Sequence, residues 1–171
     1  RAAIEPGVAR VLFNVRRPAG KYWQGDVTGL LNGFLVDGMP VETASFSLRT
    51  EGRNIRYSAA VRSSTGRYDA DGTYNIDTSL AEADISVSDL RSERVRYIPK
   101  DIQGLVSGTF HLTGNPTQPA ESRGTGYVVV KKPCFPGRTA ESLEGHISWD
   151  GGVWTVRNPI LRLAGGQIAF E

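Results

Sequence analysis

The sequence predicts an all-β protein of antiparallel strands, and three observations carry that prediction. Apolar and polar residues alternate with period two along nearly the whole chain, the pattern of strands buried on one face. Glycine, 20 of 171 residues, recurs at strand starts and turns with neither a collagen period nor a low-complexity tract. No stretch of about 12 residues or more shows a helical period.

The first strand is expected over Val8 to Val15, with Val11, Phe13 and Val15 on one face, and a weaker, glycine-rich one over Gly25 to Leu35. Val41 to Thr50 sets Ala44, Phe46 and Leu48 against Thr43, Ser45, Ser47 and Arg49. After a turn at Glu51-Gly52, Asn54 to Arg62 places Ile55, Tyr57, Ala59 and Val61 together. Arg67 to Ile76 aligns Tyr68, Ala70, Gly72, Tyr74 and Ile76, and Leu80 to Val87 aligns Ala81, Ala83, Ile85 and Val87. The span from Asn54 to Val87 therefore reads as a three-strand meander. Asp89 to Asp101 breaks the rhythm and reads as a hinge, with room for one helical turn ended by Pro99. Strands resume at Gly104 to Leu112, Gly126 to Lys131, Ser142 to Trp149, Val153 to Arg157, Ile160 to Leu163 and Gln167 to Phe170. Asp150-Gly151-Gly152 is a strong hairpin turn. The organisation is a first β stretch over 1–88, a connection over 89–103, and a second stretch of the same continuous sheet over 104–171.

No strand reads as buried on both faces, which excludes a parallel α/β sheet. Two architectures satisfy the one-sided pattern: a closed sandwich or barrel, and a sheet curled around an open apolar groove.

Little in the chain points to catalysis. The net charge of +2 is too mild, and Lys and Arg too dispersed, for a nucleic-acid partner. Cys134, alone, admits no intrachain disulfide, and it sits in a loop without a partnering His. His111 and His146 fall on the polar phase of separate strands. No nucleophile elbow, P-loop or dinucleotide fingerprint occurs. Asp69 to Asp77 has alternating oxygen ligands around Gly72, but the glycine is misplaced for a calcium loop and no bidentate Glu follows. Trp149 and Trp154 flank the Gly-Gly turn and are expected to pair across it; with Trp23 they are also candidates for a sugar-stacking platform. The reading is a non-enzymatic chain with no cofactor or metal. No apolar run reaches the roughly 20 residues that span a bilayer. The chain opens at Arg1 and stops at Glu171 within an alternating run, so a piece of a much longer chain is expected.

One passage is more specific. Gly104-Leu105-Val106-Ser107-Gly108-Thr109-Phe110-His111-Leu112-Thr113-Gly114, then Pro119, Gly124 and a Val-rich strand, resembles the TamB family of the AsmA-like group. Leu143 to Val156, followed by Ile160, Leu161, Leu163 and Gly165-Gly166-Gln167-Ile168, continues the resemblance. Residues 100–171 match best, whereas 22–90 match in rhythm only. The resemblance implies a segment of a periplasmic protein anchored in the inner membrane by an N-terminal helix absent here. It implies a sheet curled into an open half-pipe, or β-taco, with an apolar concave face. It further implies phospholipid transport between the two membranes, and support of outer-membrane biogenesis and protein secretion through an outer-membrane assembly partner of the BamA-like class, bound by regions not in this chain. The groove-facing candidates are then Phe46, Leu48, Ile55, Tyr57, Val61, Tyr74, Ile76, Ile85, Val87, Phe110, Leu112, Val128, Val130, Ile147, Trp149 and Ile168. In a closed sheet the same residues make an ordinary dry core. The competing functions are then a closed module that binds a glycan or protein, and a structural β-repeat of a surface protein.

Overall fold

The structure, a computed structural model, describes residues 4–5, 7–20, 22–36, 39–94, 103–135 and 138–170. Alternation becomes strand nearly everywhere: β1 (Ile4–Glu5), β2 (Val8–Arg16), β3 (Gln24–Val36), β4 (Met39–Glu51), β5 (Asn54–Ser63), β6 (Gly66–Asn75) and β7 (Leu80–Arg91). They continue as β8 (Gln103–Gly114), β9 (Arg123–Phe135), β10 (Arg138–Thr139), β11 (Ser142–Asp150), β12 (Val153–Leu163) and β13 (Gly166–Ala169). Two 3-10 turns, Ser92–Arg94 and Pro119–Glu121, are the helical elements among the described residues.

All thirteen strands join one antiparallel sheet in chain order from β3 to β9, then β11, β12 and β13. β1 and β2 share the outer edge of β3, and β10 pairs the far end of β9. The two ends of the sheet do not pair with each other, so it is open and the closed alternative falls. Apart from the turn at Ser92–Arg94 lying against β8, the elements in extensive contact are hydrogen-bonded neighbours. No second layer therefore covers either face among the described residues.

The burial follows from that single layer. Val41, Ala44 and Ala140 are the buried hydrophobic residues among those described, and Pro133 and Ser92 are the largest fully buried side chains there. The surface of 11,920 Å² compares with about 8,200 Å² for a compact monomer of this mass. Along β5, Ile55, Tyr57, Ala59 and Val61 are nonetheless half-buried, while Arg56, Ser58 and Arg62 are exposed. With nothing stacked above, that asymmetry comes from curling toward the apolar side, where side chains converge and shield one another. The result is an open half-pipe with an apolar inner face and a polar outer face.

Three expectations are corrected. The connection expected over Asp89 to Asp101 starts later than Asp89, which is a bulge within a strand, and the 3-10 turn Ser92–Arg94 lies where one helical turn is expected. Ser88 and Asp89 loop out between the Val87–Gly108 and Leu90–Val106 pairs, the Asp89 N–H donates to Ser107 Oγ at 3.1 Å, and β7 runs on to Arg91. Pro99 lies outside the described residues. The two strands expected over 153–157 and 160–163 are one, β12, because a register shift opposite Gly145 takes up the irregularity at Asn158 and Pro159. Many glycines are not turn residues: Gly29, Gly72, Gly108, Gly124 and Gly126 lie inside strands. The Gly151-Gly152 turn is as expected, with φ of 59° and 84° matching the left-handed hairpin type.

Candidate functional site

The candidate site is the inner face itself, and strand register assembles it. Residues opposite each other across an antiparallel pair point to the same side. One row runs Phe13, Val27, Leu48, Tyr57, Gly72, Ala83, Leu112, Gly124, Trp149, Trp154. The next runs Val11, Gly29, Phe46, Ala59, Ala70, Ile85, Phe110, Gly126, Ile147, Val156. A third holds Leu31, Ala44, Val61, Tyr68, Val87, Gly108 and Val128. Ile55 opposes Tyr74, while Val130, Leu143, Leu161 and Ile168 continue the face toward the last strand.

Fifteen of the sixteen groove candidates therefore share this face: Phe46, Leu48, Ile55, Tyr57, Val61, Tyr74, Ile85, Val87, Phe110, Leu112, Val128, Val130, Ile147, Trp149 and Ile168. Ile76 departs from the expectation. β6 ends at Asn75, whose Oδ1 accepts from the Asp77 and Thr78 N–H groups, and the turn leaves Ile76 at the rim, 43% exposed. Val27, Leu31, Tyr68, Leu143, Val156 and Leu161 belong to the face but were not among the candidates. Tyr68 shares the apolar phase of its own strand, whereas the signal of the other five was the phase of their strand neighbours.

The face is levelled by pairing large side chains with glycine. A Cβ on Gly29 would sit 2.1 Å from the Phe46 ring, one on Gly126 2.5 Å from Phe110, and one on Gly72 2.7 Å from the Tyr57 hydroxyl oxygen. Each ring thus lies over its neighbour's glycine instead of standing out from the sheet. Tyr57 crosses Gly72 and donates its hydroxyl to the Glu82 carbonyl at 3.1 Å. Burial, then the charges of Asp71 and Asp84, push its pKa above 10.0. At the far end Trp149 and Trp154 pair at 4.5 Å between ring centroids, as the hairpin predicts. The Trp149 indole N–H, buried in that pair, has no acceptor among the described residues, at a penalty of about 1–3 kcal/mol. Trp23 lies just before β3, separated from that pair by the strands β4 to β9, with the Arg17 guanidinium 5.7 Å from its ring centre. The three tryptophans thus form no common platform.

The outer face carries the titratable groups. Asp71, Asp84 and His111 are successive cross-strand neighbours, with His111 Nδ1 2.9 Å from Asp84 and Nε2 3.6 Å from Glu82. Asp71, Asp84 and His111, with His146, Tyr127, Asp69 and Thr109, border an open hollow of about 490 Å³. The Asp69 carboxylate takes a two-pronged contact from Arg67 at 2.8 and 3.0 Å. No group of three or more His, Cys, Asp or Glu among the described residues is arranged to hold a metal ion. Next to the hollow, Tyr127 donates to Glu144 at 2.5 Å and Arg162 reaches the same carboxylate at 2.7 Å. These bonds, Tyr127 first, hold the Glu144 pKa below 4.5. This network ties β9, β11 and β12 together across the outer face.

No family model, curated protein or solved structure matches this chain. The class defined by fold and site is thus a single-layer, open antiparallel sheet with one continuous apolar face.

Proposed function

We propose that this chain is a non-enzymatic segment of a TamB-like lipid conduit, working in the periplasm between two membranes. The observation that carries the reading is the uncovered apolar face. From β2 to β12 the sheet crosses ten strands, about 43 Å at the usual strand spacing. Along β5 the apolar phase runs from Ile55 to Val61, about 20 Å of strand. The patch is therefore roughly 900 Å² in projection, beyond the few hundred Å² that a soluble monomer normally exposes. Its width exceeds the roughly 15 Å of one leaflet's hydrocarbon. Acyl chains laid on it gain about 0.8 kcal/mol per buried methylene, while headgroups stay in water beyond the strand ends.

The test is a photoreactive amino acid placed at Ile85 or Phe110 on the inner face, or at Ser86 or Thr109 on the outer face of the same strands. Phospholipid is expected to label from the inner pair only. Equal labelling from both faces, or none from either in lipid-loaded protein, overturns the reading.

A further inference from the structure

The inner face has two lips, both made of strand ends and turns, and they are not alike. At the turn lip β4 passes into β5, β6 into β7, β8 into β9 and β11 into β12. The register shifts of the sheet gather toward the other lip. Glu42 is unopposed in β4, Ser88 and Asp89 oppose one residue of β8, Lys132 and Pro133 oppose Gly104, and Asn158 and Pro159 oppose Gly145. All four shifts fall at or beyond the row through Ala44, Val61, Val87 and Val128, and none falls between that row and the turn lip. Three of them hold a non-glycine residue at positive φ: Asp89 at 52°, Lys132 at 50° and Asn158 at 49°. A bulge bends its strand, so bulges in line bend the sheet along one crease.

Burial follows the crease. The buried side chains among the described residues, Val41, Ala44, Thr65, Ser92, Pro133 and Ala140, all lie at it or beyond it. Near the turn lip Leu48, Ile76 and Trp154 stay 37%, 43% and 55% exposed. Chemistry follows it too. Tyr57, Tyr74, Trp149 and Trp154 all stand in the two inner rows nearest the turn lip. Of the inward Tyr and Trp on the described strands, only Tyr68 lies deeper. The crease side continues with the aliphatic Val106, Val130, Leu143 and Leu161.

An amphiphile has the same gradient. Tyr and Trp rings favour the level where hydrocarbon meets headgroups, because one end of each is apolar and the other polar. From Ile55, beside the turn lip, to Val61, at the crease, the strand runs about 20 Å, room for the roughly 15 Å of one leaflet's hydrocarbon. A uniformly apolar partner would match neither the aromatic rows nor the one-sided burial. We infer that phospholipid lies along the strands in a single polarity, with glycerol and headgroup at the turn lip and the acyl methyl ends against the crease. The inference rests on the lipid reading and adds a direction to it.

The experiment uses the tryptophans as depth markers. Trp23→Phe leaves Trp149 and Trp154 as the only two. The whole chain is incubated with vesicles of phosphatidylcholine brominated either close to the glycerol or close to the methyl end of its acyl chains, then separated from them by size exclusion. Emission from Trp149 and Trp154 is expected to be quenched more by bromine near the glycerol. With all three native tryptophans replaced by Phe, Leu143→Trp, about 20 Å farther along β11, is expected to show the opposite order. Val106→Trp gives a second crease marker, and circular dichroism checks that each variant keeps its β signal. The same order at both lips, or equal quenching by both lipids, overturns the polarity while leaving the lipid reading standing. No quenching at any position by either lipid overturns both.

Discussion

The Phe46 ring lies over Gly29 so closely that a methyl group there would sit 2.1 Å from Cε1 and 2.3 Å from Cζ. Gly29→Ala removes glycine's excess unfolded-state freedom, which favours folding by about 0.4–1 kcal/mol, but displaces the ring, which costs about 1–3 kcal/mol. Net destabilisation is expected. In a Phe46→Ala background the same change is expected to be neutral or stabilising, and urea midpoints of the four proteins measure the coupling; additive effects would deny the stacking. His111 offers a second test at this scale. Its hydrogen bond to Asp84 raises its pKa above 6.5 in the folded chain. The folded state thus binds the proton more tightly. The resulting stabilisation is full below pH 6.5 and is lost as pH rises through the raised folded value. Asp84→Asn is expected to move the His111 titration midpoint downward, read from its ring resonances by NMR.

Single strands explain why much of this fold was legible and why some was not. β4, β5 and β6 each carry their own alternation and end at turn residues, so their edges are readable from one strand alone. β9 is different. It begins at Arg123, yet Gly124 and Gly126 offer nothing apolar to its inner phase, because Leu112 and Phe110 fill that space from β8. A vacancy filled by the neighbouring strand is a cross-strand property and leaves no periodic trace. The bulge at Ser88 and Asp89 likewise depends on another strand, whose Ser107 hydroxyl accepts from the Asp89 N–H, which kept β7 hidden beyond Val87. The apolar face was legible as a phase, but its openness was not, since a sealed core needs the same phase. The β11–β12 hairpin gives the element-scale prediction. Gly152 holds φ of 84° between the paired tryptophans. Gly152→Val forces a branched residue into that region, at about 1–2 kcal/mol. The change is expected to loosen the Trp149–Trp154 pair, read as a red shift in tryptophan emission.

A sheet whose elements touch mainly their immediate neighbours behaves as a one-dimensional array, with stability summed from strand-to-strand terms. Protection against amide exchange is therefore expected to be graded, highest through β5 to β9 and lowest at β2 and β13, the outermost strands among the described residues. A compact core would instead exchange through one global opening. The same openness sets the response to a charge on the inner face. Ile85 is half-buried beside Phe110 with no layer above it. Ile85→Arg loses about 1–3 kcal/mol of burial, while its guanidinium extends into water from the open side. At about 2–4 °C per kcal/mol for a chain of this size, the melting temperature is expected to fall by about 2–12 °C with the fold retained. In a sealed core an unpaired buried charge would cost several kcal/mol more and unfold the domain. A thermal melt of that variant with circular dichroism separates these outcomes, and loss of the native β signal at room temperature would show that the apolar face is covered.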